Sequence, residues 1–568
     1  MSDDKNTDKD LSLLIYFGGF TLSSILIYKV YVKALQFYSL HETQLKYGFY
    51  TALLLSAVPI GAYIRNKYLD HLVADEKAKC DDKTLVGISK KTKRPVYIQD
   101  LMRLYHTQVI GSTGTGKTEG IVLPWIFRDI EQGNGMLIID GKPEEQFLAR
   151  LYGKVSKEGR EKNFRLFSLA RPEFSNCFNP FAYGESDEIA ERVFSSFQTE
   201  NSHYKALQKS AFTTVIELIK SKGMVPKAGL VRELLRDKDL LAAWTNRVED
   251  PILYSDLEKI LKLSSEQFQK DFSGILAYLE NLTKNKAAHL LNQSFSDINF
   301  EEALLNNNII YFQLPTLSSP DLASNIGRLA IQTFAAAAGA YQARTRIESK
   351  KTFSLYLDDF NDYMYEGFVS VPNKVRSAGI GMVFSHQSLG DLEKVSPEFR
   401  KVILDNTNNK VIFRMNDPES ADYFSALTGT EKTEITTERR TNGFLGPENT
   451  GEQSVKDGDK YKTHPNVLKD LLTLEAAVII HQTEDTRIID VVKCKPVPFS
   501  SGFLPKEKPK LKMNYVAEAR VFGDGKSTSS KAATVSQKNS NEYPVPPPTN
   551  SLVASTLPSF SQLDNKKQ

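Results

Sequence analysis

The eight residues Gly111-Ser-Thr-Gly-Thr-Gly-Lys117-Thr118 constrain this chain more than any other feature. They spell G-x4-G-K-[ST] between an apolar run ending at Ile110 and a helical run from Glu119, the strand–loop–helix setting of a phosphate-binding P-loop. Gly111, Ser112, Thr113, Gly114, Thr115, Gly116, Lys117 and Thr118 are therefore the expected nucleotide-binding set. The glycines let backbone N–H groups curl round phosphate oxygens at a helix N-terminus. Lys117 offsets the charge of the β and γ phosphates and the Thr118 hydroxyl ligates Mg²⁺, so ATP and Mg²⁺ are the expected cofactors.

A P-loop strand belongs to a parallel α/β sheet, and β runs alternate with helical patterns from about Arg65 to Phe499 as such a sheet requires. Strands are expected at Thr107 to Ile110, Met136 to Asp140, Ile309 to Leu314, Thr352 to Asp358, Gly379 to Ser385 and Lys410 to Arg414. Between Glu185 and Asn299 no comparable run occurs, while Leu, Ile and Phe recur at helical spacing through Lys205 to Lys220 and Gln267 to Leu282. This predicts an all-helical domain, 185–299, inserted between two parts of the α/β domain, 69–184 and 300–499. A length of 568 residues suits several units better than one core.

Leu11 to Tyr28 and Tyr47 to Ile64 are uncharged and apolar, each about 18 residues and so ~27 Å as helix, roughly the hydrocarbon thickness. They predict a two-helix transmembrane hairpin within 1–68. Lysines lie both outside the pair and in the connecting loop, so the loop charges give little orientation, and the cytoplasmic location of ATP sets it instead. Beyond Ser500 the Ser-, Pro- and Lys-rich composition of 500–568 predicts a disordered tail.

The formal net charge of +3 is too small for a nucleic-acid coat, so any DNA contact must be local. Cys80, Cys177 and Cys494 are scattered without metal-ligand spacing, which predicts a reduced, cytosolic body without structural zinc. The basic run Lys90-Lys-Thr-Lys-Arg94 precedes Pro95 and reads as a solvated turn. The polar, glycine-bearing segment Glu431 to Lys460 reads as a mobile surface loop.

A P-loop motor also needs an acid at the end of a buried strand to organise Mg²⁺ and polarise the attacking water. Phe353-Ser-Leu-Tyr-Leu-Asp358-Asp359 supplies two, with Asp358 expected at the metal and Asp359 in the position of the catalytic base.

The order of motifs is more specific than any one of them. From the P-loop it runs through Ile138-Ile-Asp140-Gly-Lys142, Asn179-Pro-Phe181, Tyr311-Phe-Gln-Leu-Pro315, Asp358-Asp359, Arg376-Ser-Ala-Gly-Ile380 and Ser385-His-Gln387 to Asn406-Thr-Asn-Asn-Lys410-Val-Ile-Phe-Arg414. In this order the chain resembles the TraD/TraG-type coupling proteins of conjugation and type IV secretion, relatives of FtsK and HerA among the RecA-like motors. The resemblance implies a RecA-like P-loop domain with an all-α insertion, anchored in the bacterial inner membrane with its bulk in the cytoplasm. It implies a homo-hexameric ATPase that recruits relaxase-bound DNA, effector proteins or both, and delivers them to the components of a secretion channel. It further implies that Gln387 senses the γ-phosphate and that Arg376 reaches into the neighbouring subunit's nucleotide site as an arginine finger, with Arg414 a second contender for that role.

Three departures from the family pattern matter. Asp359 stands where relatives usually carry Glu, a side chain about 1.5 Å longer by one C–C bond. Asp140-Gly-Lys-Pro-Glu144 exchanges the Gly and Pro of the family's Asp-Pro-Lys-Gly-Glu, which predicts a reshaped loop with no effect on phosphate chemistry. The tail lacks the acidic recruitment motifs common in the family. Two other functions stay open on the sequence: an FtsK-like DNA translocase, and a docking scaffold that binds ATP but hardly hydrolyses it.

Overall fold

The strand that feeds the P-loop is central to an extended sheet. The computed structural model describes residues 24–33, 50, 82–197, 202–344, 352–443, 446–483, 486–498 and 502–505. Eleven strands form this sheet: β1 (Lys83–Ser89), β2 (Pro95–Gln99), β3 (Thr107–Ile110), β4 (Gly135–Asp140), β5 (Phe164–Ser168), β6 (Ile309–Gln313), β7 (Phe353–Asp358), β8 (Ile380–His386), β9 (Asn409–Ile412), β12 (Glu475–His481) and β13 (Arg487–Lys493). Their order is β2-β1-β13-β12-β9-β3-β8-β7-β4-β6-β5.

From β9 to β5 every pairing is parallel. All six strands expected from the sequence lie in this parallel half, with no end moved by more than two residues. Every residue of β3, β4, β6, β7, β8 and β9 is buried, because both faces of the sheet are covered, and polar members such as Ser354 are hydrogen-bonded inside. Alternate residues serve different cores. Val109, Met136, Ile138, Tyr356 and Val383 pack with Trp125, Ile126, Leu148 and Leu151 on one face. Ile110, Leu137, Ile139, Leu355 and Phe384 belong to the larger core on the other.

That larger core takes in the helices between β5 and β6. Ser186–Ser196, Ser202–Ser221, Ala228–Arg236, Lys238–Thr245, Pro251–Leu261, Ser265–Thr283, Ala288–Leu291 and Phe300–Asn306 follow one another there with no strand among the described residues. Local sequence starts several of them. Asp237, Asp250, Ser264 and Asn299 each accept a backbone N–H of the helix they precede. Phe212, Val215, Ile219, Leu234, Ile275 and Leu279 are fully buried within this packing. Asn179 ties the helices to the sheet: its buried amide donates to Pro226 O (2.9 Å) and Gln293 O (2.8 Å) and accepts from Phe181 N (3.0 Å).

One sequence expectation changes. The segment Glu431 to Lys460 is not a loop: it lies in two long antiparallel strands, β10 (Thr430–Gly443) and β11 (Gly446–Tyr461). Thr430, Thr433, Ile435, Thr436, Thr437 and Thr441 favour extended backbone, and inter-strand hydrogen bonds satisfy it whatever the polarity of the side chains. The basic run forms the expected exposed turn, which closes a hairpin between β1 and β2, with Lys90 paired to Glu475 at 2.9 Å.

Of the expected membrane spans only 24–28 and Tyr50 are among the described residues, the rest lying outside them. Among the described residues no helix is long and apolar enough to cross a membrane. Of the expected tail only 502–505 are described, where Phe503 meets the Tyr152 ring edge-on at 5.6 Å.

Candidate nucleotide site

β3 delivers the chain to the P-loop between two parallel neighbours, and close packing explains two of its glycines. A Cβ on Gly111 would stand 2.6 Å from Cβ of Phe413, just past β9. Gly116 has φ +98° and a Cβ there would meet Leu474 at 2.7 Å, so both conformation and space exclude a side chain. Beyond Lys117 the chain enters a π-helical turn, Thr118–Val122, and then the helix Leu123–Glu131. Pro124 has no N–H for the Gly120 carbonyl and its ring crowds that oxygen, which accounts for the wider turn.

Lys117 is buried, with Nζ donating to Gly111 O (2.6 Å) and Ser112 O (3.3 Å). Burial lowers its pKa from the ordinary lysine value, against the pull of Asp358 and Asp359. The Thr118 hydroxyl donates to Asp358 Oδ2 at 2.7 Å across the top of the sheet. Asp358 Oδ1 accepts a short hydrogen bond from the Ser385 hydroxyl, and Asp359 N points to the same Oδ1 (3.2 Å) and to Ser385 Oγ (3.3 Å). Burial first, and the Asp359 carboxylate second, raise the Asp358 pKa above the usual carboxylate value.

The helix after the P-loop is also fixed to β7 at its far end. Asp129 Oδ1 accepts from Arg103 Nη1 (2.8 Å), while Oδ2 accepts from Arg103 Nη2 (2.8 Å), the Ser354 hydroxyl (2.7 Å) and the Tyr356 hydroxyl (2.6 Å). Burial alone would raise the Asp129 pKa, but these partners bring it down to about 2. The helix that carries Thr118 is thus held to the strand that carries Asp358 at both ends.

Asp359 leaves β7 in the left-handed region, φ 48° and ψ 46°, a conformation that Asp tolerates better than most residues with a side chain. Its Oδ2 forms an ion pair with Lys142 Nζ at 2.6 Å. The loop after β4 therefore reaches the carboxylate of Asp359. β4 and β7 pair with Asp140 opposite Asp358. Asp140 accepts from Lys142 N (2.8 Å) and from the Tyr311 hydroxyl (2.9 Å). Burial, and then the neighbouring Asp358, push the Asp140 carboxyl well above its usual pKa.

β8 lies between the P-loop strand and β7, with His386 in register with Ile110, so Gln387 emerges beside the P-loop. Gln387, Ser112, Thr113, Ser388, Asp391 and Asn416 are among the residues lining a cavity of ≈ 380 Å³. Arg414 also follows its strand to this side, where its carbonyl accepts from Ser112 N (2.9 Å). Arg376 is not brought there. It sits exposed on the helix Val371–Ser377, before β8 begins, with its guanidinium 4.0 Å from the Tyr105 ring centre. The sequence reading gave no role to Ser385, Tyr311 or Lys142, although all three stand within its motifs.

Residues 352–476, from β7 to β12, match a family model described as the TraM recognition site of TraD and TraG. A type 4 coupling protein of Legionella pneumophila, DotL, is 25% identical over 406 residues, which cover 61% of this chain and 52% of that protein. The chain is a relative of the type 4 coupling proteins. It spans about half the length of this curated member. The plasmid coupling protein TrwB, solved with ADP and Mg²⁺, shares the fold with a TM-score of 0.53 at 14% identity, over 75% of this chain and 92% of that one. TrwB with a non-hydrolysable ATP analogue gives 0.52 at 14% identity, over 75% and 93%. The likeness places this relative's large sheet and helical domain in the RecA-like architecture of the coupling proteins.

Proposed function

We propose that this coupling-protein relative is a membrane-anchored ATPase that recruits relaxase-bound DNA, protein substrates or both, and passes them to a type IV secretion or conjugation channel. The observation that carries the reading is the 2.7 Å contact between the Thr118 hydroxyl and Asp358, which joins the end of the P-loop to the end of β7. These two groups are hard oxygen donors of the kind Mg²⁺ takes, alongside phosphate oxygens and water. Thr118 and Asp358 would hold the ion, which when bound neutralises phosphate charge. Lys117 binds the β and γ phosphates, Asp359 orients and deprotonates the attacking water, and Gln387 contacts the γ-phosphate from the adjoining strand.

Arg376 lies beyond the other end of β8, so its role in hydrolysis is in a neighbouring subunit's site, which calls for a ring such as a homo-hexamer. The apolar runs 11–28 and 47–64 anchor the protein in the inner membrane with the ATPase in the cytoplasm. We place the unit boundaries at 69–184, 185–299 and 300–499, a division supported by the run of helices between β5 and β6.

The test is to purify the full chain from membranes and measure magnesium-dependent ATP binding and phosphate release, with substrate transfer followed in cells. Binding and turnover lost in Lys117→Ala, together with lost transfer, are the expected results. Full-length protein in the soluble fraction without detergent would contradict the membrane anchor, and ATP-independent transfer would contradict the motor.

A further inference from the structure

The loop between β4 and the helix Glu145–Lys157 carries a cation that no role above requires. Lys142 Nζ stands 2.6 Å from Asp359 Oδ2, with the lysine side chain half-exposed and the aspartate side chain 10% exposed. Its backbone is fixed independently of that contact. Lys142 N donates to Asp140 Oδ1 at 2.8 Å, and the other oxygen of Asp140 is held by the Tyr311 hydroxyl. Thr316 N donates to Gly141 O (3.3 Å) and the Thr316 hydroxyl donates to Asp362 Oδ2 (2.6 Å), so the turn is also held against the segment that follows Asp359. Two pairs of elements, β4 with β6 and β4 with β7, thus converge on the point where the lysine begins.

Asp359 needs such a partner for three reasons. Its backbone is set by Asp358 Oδ1 and Ser385 Oγ, but those contacts do not fix its carboxylate. Its side chain is also short, so misplacement costs more where water must be aligned with a phosphate. The carboxyl groups of Asp140 and Asp358 lie close by, and charge on either would drive an unopposed Asp359 carboxylate away.

Resting on the ATPase reading above, we propose that Lys142 is a positioning residue for hydrolysis, holding the carboxylate of Asp359 at the end of β7 through a direct ion pair. A surface ion pair alone has little energetic weight, but this one fixes a group whose direction matters more than its contribution to stability.

The experiment measures kcat, KM and calorimetric ATP affinity for the full-length wild type, Lys142→Met, Lys142→Arg, Asp359→Asn and the Lys142→Met/Asp359→Asn double variant. Lys142→Met should lower kcat by about 10- to 100-fold while KM and ATP affinity change little, the signature of a lost transition-state arrangement. Lys142→Arg should recover most of that loss, and Lys142→Met should add nothing in the Asp359→Asn background. Wild-type kcat in Lys142→Met, or a further loss of the same size in the double variant, would overturn the role of Lys142 and leave the motor reading standing. Lost ATP affinity in Lys142→Met without recovery in Lys142→Arg would make Lys142 a structural residue and also overturn it. A wild type without turnover would instead contradict the motor reading, and this role with it.

Discussion

The guanidinium of Arg376 lies over the ring of Tyr105 at 4.0 Å, and both residues sit where strands of the sheet begin, away from the edge where the P-loop emerges. The whole of β8, seven residues and roughly 23 Å of extended chain, lies between Arg376 and Gln387. An arginine side chain does not span that distance. A catalytic Arg376 therefore acts on the nucleotide of another subunit.

If so, Arg376→Ala and Lys117→Ala are each inactive alone but complement each other. A mixed ring contains interfaces with one intact P-loop and one intact finger, so mixing the two variants should restore part of the ATPase rate. Co-assembled mixtures that stay inactive at every ratio would contradict the trans role.

Lys117→Ala should fold and remain at the membrane yet lose nucleotide affinity by at least about 10- to 100-fold, the weight of hydrogen bonds from a charged donor. Calorimetry reads the affinity and far-UV circular dichroism the fold. Undiminished affinity in a folded variant would contradict the site.

Asp129→Ala leaves the buried Arg103 guanidinium without its carboxylate and unties the P-loop helix from β7. The expected loss is about 3–5 kcal/mol, as for other broken buried pairs. Denaturant unfolding of the detergent-solubilised protein measures it. A change under about 1 kcal/mol would show that Ser354 and Tyr356 suffice to hold the helix.

The parallel half of the sheet was legible because strands buried on both faces read as unbroken apolar runs, as Gly135–Asp140 and Phe353–Asp358 do. β5 escaped notice because it is an edge strand and Arg165 interrupts its apolar run. β1, β2, β12 and β13 extend the sheet antiparallel, an addition that the P-loop does not demand and that only long-range pairing sets. In the site, the P-loop and the acids after β7 were legible from motif order. The Lys142–Asp359 pair was not, since it depends on the register that sets Asp140 opposite Asp358, far apart in sequence. The Arg103–Asp129 centre was also missed, because neither residue belongs to a recognisable motif.

His106 provides a pH test of the same region. Its ring bridges two elements: Nε2 donates to Pro372 O (2.9 Å) and Nδ1 accepts from Met382 N (3.1 Å), which requires the neutral form. Burial, with a smaller push from Arg376, lowers its pKa from 6.5 to about 4. The unfolded chain then binds the proton more readily than the folded one. The stability this group contributes is fully present above pH 6.5 and is lost as pH falls towards 4. Unfolding free energy measured across that window should fall less steeply in His106→Asn than in the wild type, and parallel curves would contradict the assignment.

The central claim is that Asp359 serves as the base of a working motor. Steady-state phosphate release from membrane-reconstituted wild type, Asp359→Asn and Asp359→Glu, with and without single-stranded DNA, tests it most directly. The account predicts turnover in the wild type, reduced at least about 100-fold to a residual rate in Asp359→Asn while ATP still binds. Asp359→Glu should be neutral or impaired, because a longer side chain in the left-handed conformation crowds Lys142 and strains the turn. Equal background rates in all three proteins, with ATP binding intact, would contradict it and leave a nucleotide-gated scaffold in its place.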